Sequence, residues 1–247
     1  MWVFYKPKTY IMSAYGRRNR GRRPIGYFAE FLIIIAGVTV SFFLNEWRES
    51  NKMEEKKISL LHEISHDLVS DTILLSFSVD LYKNLLSSHD SLLKQRNEDL
   101  SSDSLDIYVD QVASYFPFKE TQNTYLKITS DPNLVINKED TLIERFLLIH
   151  NQLYNMSHEW TSIEKDFVLN QLIPYMDMHA PFLYPPPHNK SFQGEVFNKL
   201  KEKDVFMNLL KTGRSYKSAI LQVNQAVLAQ VTRFKLQVDT YLEQVEE

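Results

Sequence analysis

Ile25-Gly-Tyr-Phe-Ala-Glu-Phe-Leu-Ile-Ile-Ile-Ala-Gly-Val-Thr-Val-Ser-Phe-Phe-Leu44, followed by Asn45-Glu-Trp47 and then a run to Arg96 with neither Pro nor Gly, decides the fold. As a helix the apolar stretch is about 30 Å long, the thickness of a bilayer's hydrocarbon layer. Seven basic residues (Lys6, Lys8, Arg17, Arg18, Arg20, Arg22 and Arg23) and no acid precede Phe28. Basic residues resist translocation, so the N-terminus is expected in the cytoplasm and the chain beyond Asn45 outside. A cleaved signal peptide has a similar flank, but Ser41-Phe-Phe-Leu-Asn-Glu-Trp47 offers no small-x-small cleavage pair. The reading is an uncleaved signal-anchor.

Within the apolar stretch Ile25–Leu44, Glu30 is the one charge; it is placed to snorkel toward the cytoplasmic headgroups and the Arg22/Arg23 cluster. Gly37 and Ser41 are spaced small-xxx-small, a pattern that permits close approach of a second helix. Trp47 stands at the exit, where amphipathic rings favour the interface.

Outside the span the balance turns acidic. Of 28 Lys and Arg, seven lie before Phe28, so the rest of the chain holds 21 against 31 Asp and Glu. That excess, with no basic patch, argues against a nucleic-acid partner. With six glycines and no cysteine, the composition suits helices better than sheets and rules out a thiol nucleophile or a disulfide framework. Gly-rich phosphate loops and Gly-x-Ser-x-Gly elbows are absent from the sequence.

Helical periodicity organises the remainder. Leu61, Ile64, Leu68, Leu75, Val79, Tyr82, Leu86 and Leu93 form a first stripe, on a helix that continues from the span and projects outward. Ser101-Ser-Asp-Ser caps a short helix to about Tyr115, ended by Pro117, and residues 118–137 read as irregular, with a turn at Asp131-Pro-Asn133. Leu142, Phe146, Ile149, Leu153, Met156, Trp160, Ile163 and Phe167 form a second stripe, with Asp140 as N-cap and Pro174 as its end. Five of the nine prolines fall between Pro174 and Asn189; that stretch reads as a stiff cap over the helix ends, or as a polyproline ligand. A helix around Gly194 to Lys211, a turn at Gly213 and a last helix from Ser215 to Glu246 follow.

The last helix carries Ile220, Asn224, Val227, Val231, Phe234, Val238, Tyr241 and Val245. A lone Asn in an apolar seam fixes register or partner number, as in coiled coils. The candidate interaction seam is therefore Asn224, Val227, Val231 and Phe234, facing either its own chain or a second copy. The expected architecture is all-α: one transmembrane helix continuing into a long helix, packed in an extracytoplasmic antiparallel helical bundle. Its parts are a basic tail (1–24), the span (25–47), a membrane-proximal helix (48–98) and the rest of the bundle (99–247).

One motif suggests chemistry. His62-Glu63-Ile64-Ser65-His66 places two imidazoles at i and i+4 on one helix face, the spacing that binds zinc with the Glu as general base. The sequence supplies no third His at a suitable distance, and neither Glu98 nor Asp71 is singled out as a third ligand. Leu61, Ile64 and Leu68 already commit this helix to packing, so the motif reads as a solvated face. Asp177, His179 and His188 in the Pro-rich stretch read the same way. No cofactor is expected. Asn155-Met-Ser and Asn189-Lys-Ser match the glycosylation pattern, which matters only in a eukaryotic-type secretory pathway.

The run Glu30 to Glu49, with Gly37 near its middle and the Asn45-Glu-Trp47 exit, followed by Glu55-Lys-Lys-Ile-Ser-Leu-Leu-His-Glu-Ile-Ser-His-Asp-Leu68, resembles a family of single-pass inner-membrane proteins of Gram-negative bacteria. Phe118-Lys-Glu-Thr-Gln-Asn-Thr-Tyr-Leu-Lys-Ile-Thr-Ser130 and Asn133-Leu-Val-Ile-Asn137 resemble its later segment, with Asn133 where Gly is common. The resemblance covers about residues 25–160. It implies an N-terminal membrane helix and an extracytoplasmic domain, and no activity. His62 and His66 are not part of its recurring pattern.

Three functions remain on these grounds. The preferred one is a membrane-anchored, non-catalytic interaction or assembly protein, whose partners are the lipid bilayer and either further copies or another membrane or periplasmic protein. The others are a membrane-anchored zinc metallopeptidase using His62, Glu63 and His66, and a periplasmic sensor subunit that signals through a partner.

Overall fold

The computed structural model describes residues 24–94, 102–131, 141–180 and 197–246, and every regular element among them is helical. They are α1 (Pro24–Lys94), α2 (Ser102–Val112), α3 (Asn123–Ser130), α4 (Thr141–Leu148), α5 (Asn155–Phe167), α6 (Ile173–His179) and α7 (Asp204–Glu246). Residues 197–201 add one helical turn before α7. The basic tail, Glu98, the Ser101 and Asp140 caps, residues 132–137, the prolines from 181 on, His188, Asn189 and Gly194 lie outside the described residues.

The chain divides between Lys52 and Met53 into two units, with α1 contributing to both. In the first unit, α1 carries an apolar stretch long enough to cross a membrane, and none of that stretch is buried. Ile33 is 72% exposed and Phe42 likewise. Thr39 and Ser41 donate their hydroxyls to the carbonyls of Ile35 and Gly37, both at 2.8 Å, so neither needs an outside acceptor.

In the second unit, hydrogen bonds fix the direction of each run. Against α1, α7 descends: Ser65 pairs with Asp239, Ser78 with Asn224 and Asp90 with Arg214. Residues 102–131 also descend, with Ser88 meeting Gln111, Tyr82 meeting Phe116, Asp71 meeting Thr121 and Asp67 meeting Thr124. The run from α4 to α6 ascends beside α1, pairing Asp71 with Tyr154 and Tyr82 with Glu164. The four runs therefore alternate in direction. Of the segment expected to be irregular, residues 118–137, the described part up to Asp131 contains α3 and belongs to the second run.

Two large apolar clusters, and a small one of Tyr82, Leu85 and Ile220, hold the runs together. One of the large clusters gathers Leu61, Ile64 and Leu68 of α1 with Phe146, Val231 and Phe234. The other gathers Leu92, Val109, Phe167, Leu172, Phe206 and Leu210. Each such side chain contributes roughly 1.5–3 kcal/mol on burial.

Three expectations are corrected. Pro174 does not end its helix. A wider π turn at Val168–Leu172 precedes it, so Pro174 stands in the first turn of α6, where its missing N–H costs little. Gly213 is no turn but an interior position of α7, buried at a close crossing: a Cβ there would meet Phe167 Cε1 at 3.1 Å and His89 Nε2 at 3.2 Å. Finally, the first stripe leaves Leu86 and Leu93 half-buried, while Leu85 and Leu92 take the core positions.

Candidate functional site

The motif at residues 62–66 is spread over separate partners. His62 Nε2 lies 2.9 Å from Glu246 Oε1, and Glu63 is paired with Lys127 at 2.6 and 2.8 Å. The His66 side chain is 84% exposed, its Nδ1 4.0 Å from Asp67. Asp71, considered above as a third ligand, is instead engaged by the Thr121 N–H and the Tyr154 hydroxyl, both at 2.7 Å. Among the described residues no three His, Asp or Glu side chains converge in a way that would hold a metal ion.

The seam of α7 is buried within its own chain. Val227, Val231 and Phe234 are fully enclosed, and Asn224 is 1% exposed. The Asn224 amide donates to Ser78 Oγ at 2.9 Å and accepts from the Ser157 hydroxyl at 2.7 Å, joining α7 to α1 and α5. The hydrogen bonds of Asn224 are thus made inside one chain. Further along, Leu242 replaces Tyr241 at the core position and Val245 is 40% exposed.

One turn above, between the two apolar clusters, sits a charged centre that the stripes do not announce. Lys217 Nζ lies 2.5 Å from Glu164 Oε1 and donates to the Ser114 carbonyl at 2.6 Å, both ionic side chains being 1% exposed. The other Glu164 oxygen accepts from the Tyr82 hydroxyl at 2.6 Å, and Tyr82 also reaches the Phe116 carbonyl. α1, α5, α7 and residues 114–116 all meet here. Burial pulls Lys217 below its ordinary value, against the pull of Glu164, and it lifts Tyr82 far above its own. A buried pair of this kind stabilises little compared with apolar packing, yet it penalises any register that leaves one charge alone.

Beside it, His89 is fully buried. Its Nδ1 bonds the Leu85 carbonyl at 3.1 Å and its Nε2 has no partner; burial, with Lys217 nearby, holds it down to about 3. A second polar group surrounds α3. Asp67 and Asp71 accept the Thr124 and Thr121 amides at the start of that helix, doing from a neighbouring helix what an N-cap does locally. Glu120 meets His158 at 2.6 Å. Burial would lift Glu120, but His158 and the Gln122 amide hold it down to about 2, and His158 is raised in return.

Sequence reasoning passed over these residues because it counted charge as solvated. A signal was nevertheless there: carrying the α7 seam backwards from Ile220 in steps of three and four lands on Lys217, Gly213 and Leu210, all buried.

Residues 30–142 match the model of DUF6090, a family of unknown function. That span takes in the apolar stretch from Glu30 on, the rest of α1, and α3 together with its two carboxylate caps. No curated protein and no solved structure matches the chain.

Proposed function

We propose that this protein is a single-pass anchor in the bacterial inner membrane, with its N-terminus in the cytoplasm and its helical part in the periplasm. There it forms an antiparallel bundle that works by interaction or assembly and carries out no catalysis of its own. The observation that carries this reading is the apolar stretch of α1, which the chain itself leaves uncovered. So much exposed hydrocarbon is strongly unfavourable in water, and a bilayer relieves it. Orientation rests on the seven basic residues before Phe28.

Self-association within the membrane is the partner reading favoured for the span. Ile34, Gly37, Val38, Ser41, Phe42 and Asn45 share one face of the helix, and a Cβ on Gly37 would meet nothing within 4 Å. No packing within the chain therefore asks for glycine there, although it costs about 1 kcal/mol relative to alanine in a helix. Close approach of a second span would use it. For the helical part, the non-catalytic reading is supported by its buried ionic groups: Glu164 and Lys217 bond one another, at depths a substrate does not reach.

The test is purification of the full chain in gentle detergent with mass spectrometry of the intact assembly, alongside reporter fusions at each terminus. We expect cytoplasmic signal at the N-terminus, exported signal at the C-terminus, and a stoichiometric partner or further copies. Metal analysis of the same sample addresses the metallopeptidase alternative: one zinc per chain, lost in His62→Ala and His66→Ala, would replace the non-catalytic reading.

A further inference from the structure

His150 opens the π turn Ile149–Tyr154 and is 5% exposed, its Nε2 buried without a hydrogen-bond partner. Tyr125 of α3 stacks on its ring at 4.7 Å and 11°. Phe146 and Tyr154 meet it edge-on at 4.6 and 4.9 Å. Thr124 and Ile128 are buried and Tyr125 packs against the core cluster; the rest of the hold on α3 is polar. It comes from Asp67 and Asp71 on backbone amides, Lys127 on Glu63, and the Tyr125 hydroxyl on Asn151.

We propose that α3 is a strap released by acid: a proton on His150 places a cation with an unpartnered N–H beneath Tyr125, and α3 lifts from α1 and from the π turn while the other runs stay packed. The groups around His150 set the sense of the switch. α1 presents Asp67 and Asp71, with Glu63 further along; residues 114–122 present Glu120; α3 presents Tyr125 and Lys127; its own run presents Tyr154 and His158. α7 brings Val227, Val231 and Phe234 into the apolar cluster that holds Phe146, Ile149 and Tyr154. Burial outweighs the attraction of Glu120 and Asp67 and holds His150 down to about 4. Acid leaves the Glu120–His158 clasp in place, since His158 is raised, and so the strap hinges at residues 118–122. Asp71, raised by burial, titrates in the opposite sense and favours the closed strap.

If opening returns His150 from about 4 to its ordinary 6.5, the open fraction of α3 rises about 25-fold between pH 7.5 and pH 5.0. Hydrogen exchange of the full chain in lipid nanodiscs, corrected for intrinsic rates, reads this directly. Peptides over residues 121–130 are expected to lose that much protection and to stay far less protected than peptides over 220–238, whose exchange requires global unfolding; His150→Phe is expected to abolish the α3 loss and Asp71→Asn to retain it. An α3 loss that persists in His150→Phe or vanishes in Asp71→Asn, or an α3 no less protected than α7 at pH 5.0, would overturn the strap. Should His150→Phe fail to fold, the wild-type His150 ring resonances decide. A midpoint shared with α3 opening supports the proposal, and a ring that does not titrate while α3 opens defeats it.

Discussion

Lys217 of α7 and Glu164 of α5 face one another at 2.5 Å with 1% of each side chain exposed, and Tyr82 of α1 closes the other Glu164 oxygen. Removing one partner strands the other charge where water cannot reach it. Lys217→Met is therefore expected to cost about 3–5 kcal/mol, and the double variant Lys217→Met/Glu164→Leu to recover most of that. Urea unfolding followed by circular dichroism measures both. A double variant as unstable as the single one would mean that Ser114 and Tyr82, left without partners, dominate the cost.

Asn224 makes a prediction about subunit number as well as stability. Its amide serves Ser78 and Ser157 of the same chain, so Asn224→Ala is expected to lower stability by about 1–3 kcal/mol. It is also expected to leave the oligomeric state unchanged, because the seam around it is closed within one chain. Intact-mass measurement of wild type and variant at equal concentration checks this; a changed subunit count would place the seam between chains.

How far the sequence foretold this arrangement differs from helix to helix, for physical reasons. The α7 stripe from Ile220 to Val238 was readable because its buried face is nearly all apolar. The second stripe was readable only in part: Phe146, Ile149 and Phe167 are buried as expected, but Ile163 is 45% exposed, and Tyr154, Ser157, Thr161 and Glu164 are buried instead. The π turn at Ile149–Tyr154 precedes α5, whose buried face (Ser157, Thr161, Glu164 and Phe167) is largely polar. A reading that treats apolar as inside and polar as outside assigns such a helix one residue out of phase. The same bias hid His89, and it hid Lys217 and Asp71, whose partners lie far away in sequence. The apolar stretch of α1 was legible in full, since it rests on composition and length alone.

Gly213 tests whether that missed crossing is tight. An alanine there would gain about 1 kcal/mol of helix propensity. Its Cβ, however, would stand 3.1 Å from Phe167 and 3.2 Å from His89, which are 2% and 0% exposed and have nowhere to move. Overpacking of this kind costs about 1–3 kcal/mol, so Gly213→Ala is expected to be destabilising on balance. A raised melting temperature would show that the α1–α5–α7 crossing has slack.

The pH dependence of global stability follows from the histidines. His89 and His150 are held at about 3 and about 4 when folded, against an ordinary 6.5, and both are buried. Below pH 6.5 the unfolded chain takes up protons that the folded chain refuses. Their contribution is thus fully present above 6.5 and is lost as pH falls toward the folded values, by about 1.4 kcal/mol per pH unit for each histidine. His158 has the opposite sign: raised by Glu120, it stabilises fully below 6.5 and gives that up as pH rises through its folded value. Stability should peak near neutrality and fall steeply toward pH 4.5. Urea midpoints at pH 7.0, 5.5 and 4.5 measure the slope. His150→Phe is expected to remove about half of the acid loss, and His158→Gln to flatten only the alkaline side. An acid limb unchanged in His150→Phe would assign it to His89 or to the carboxylates.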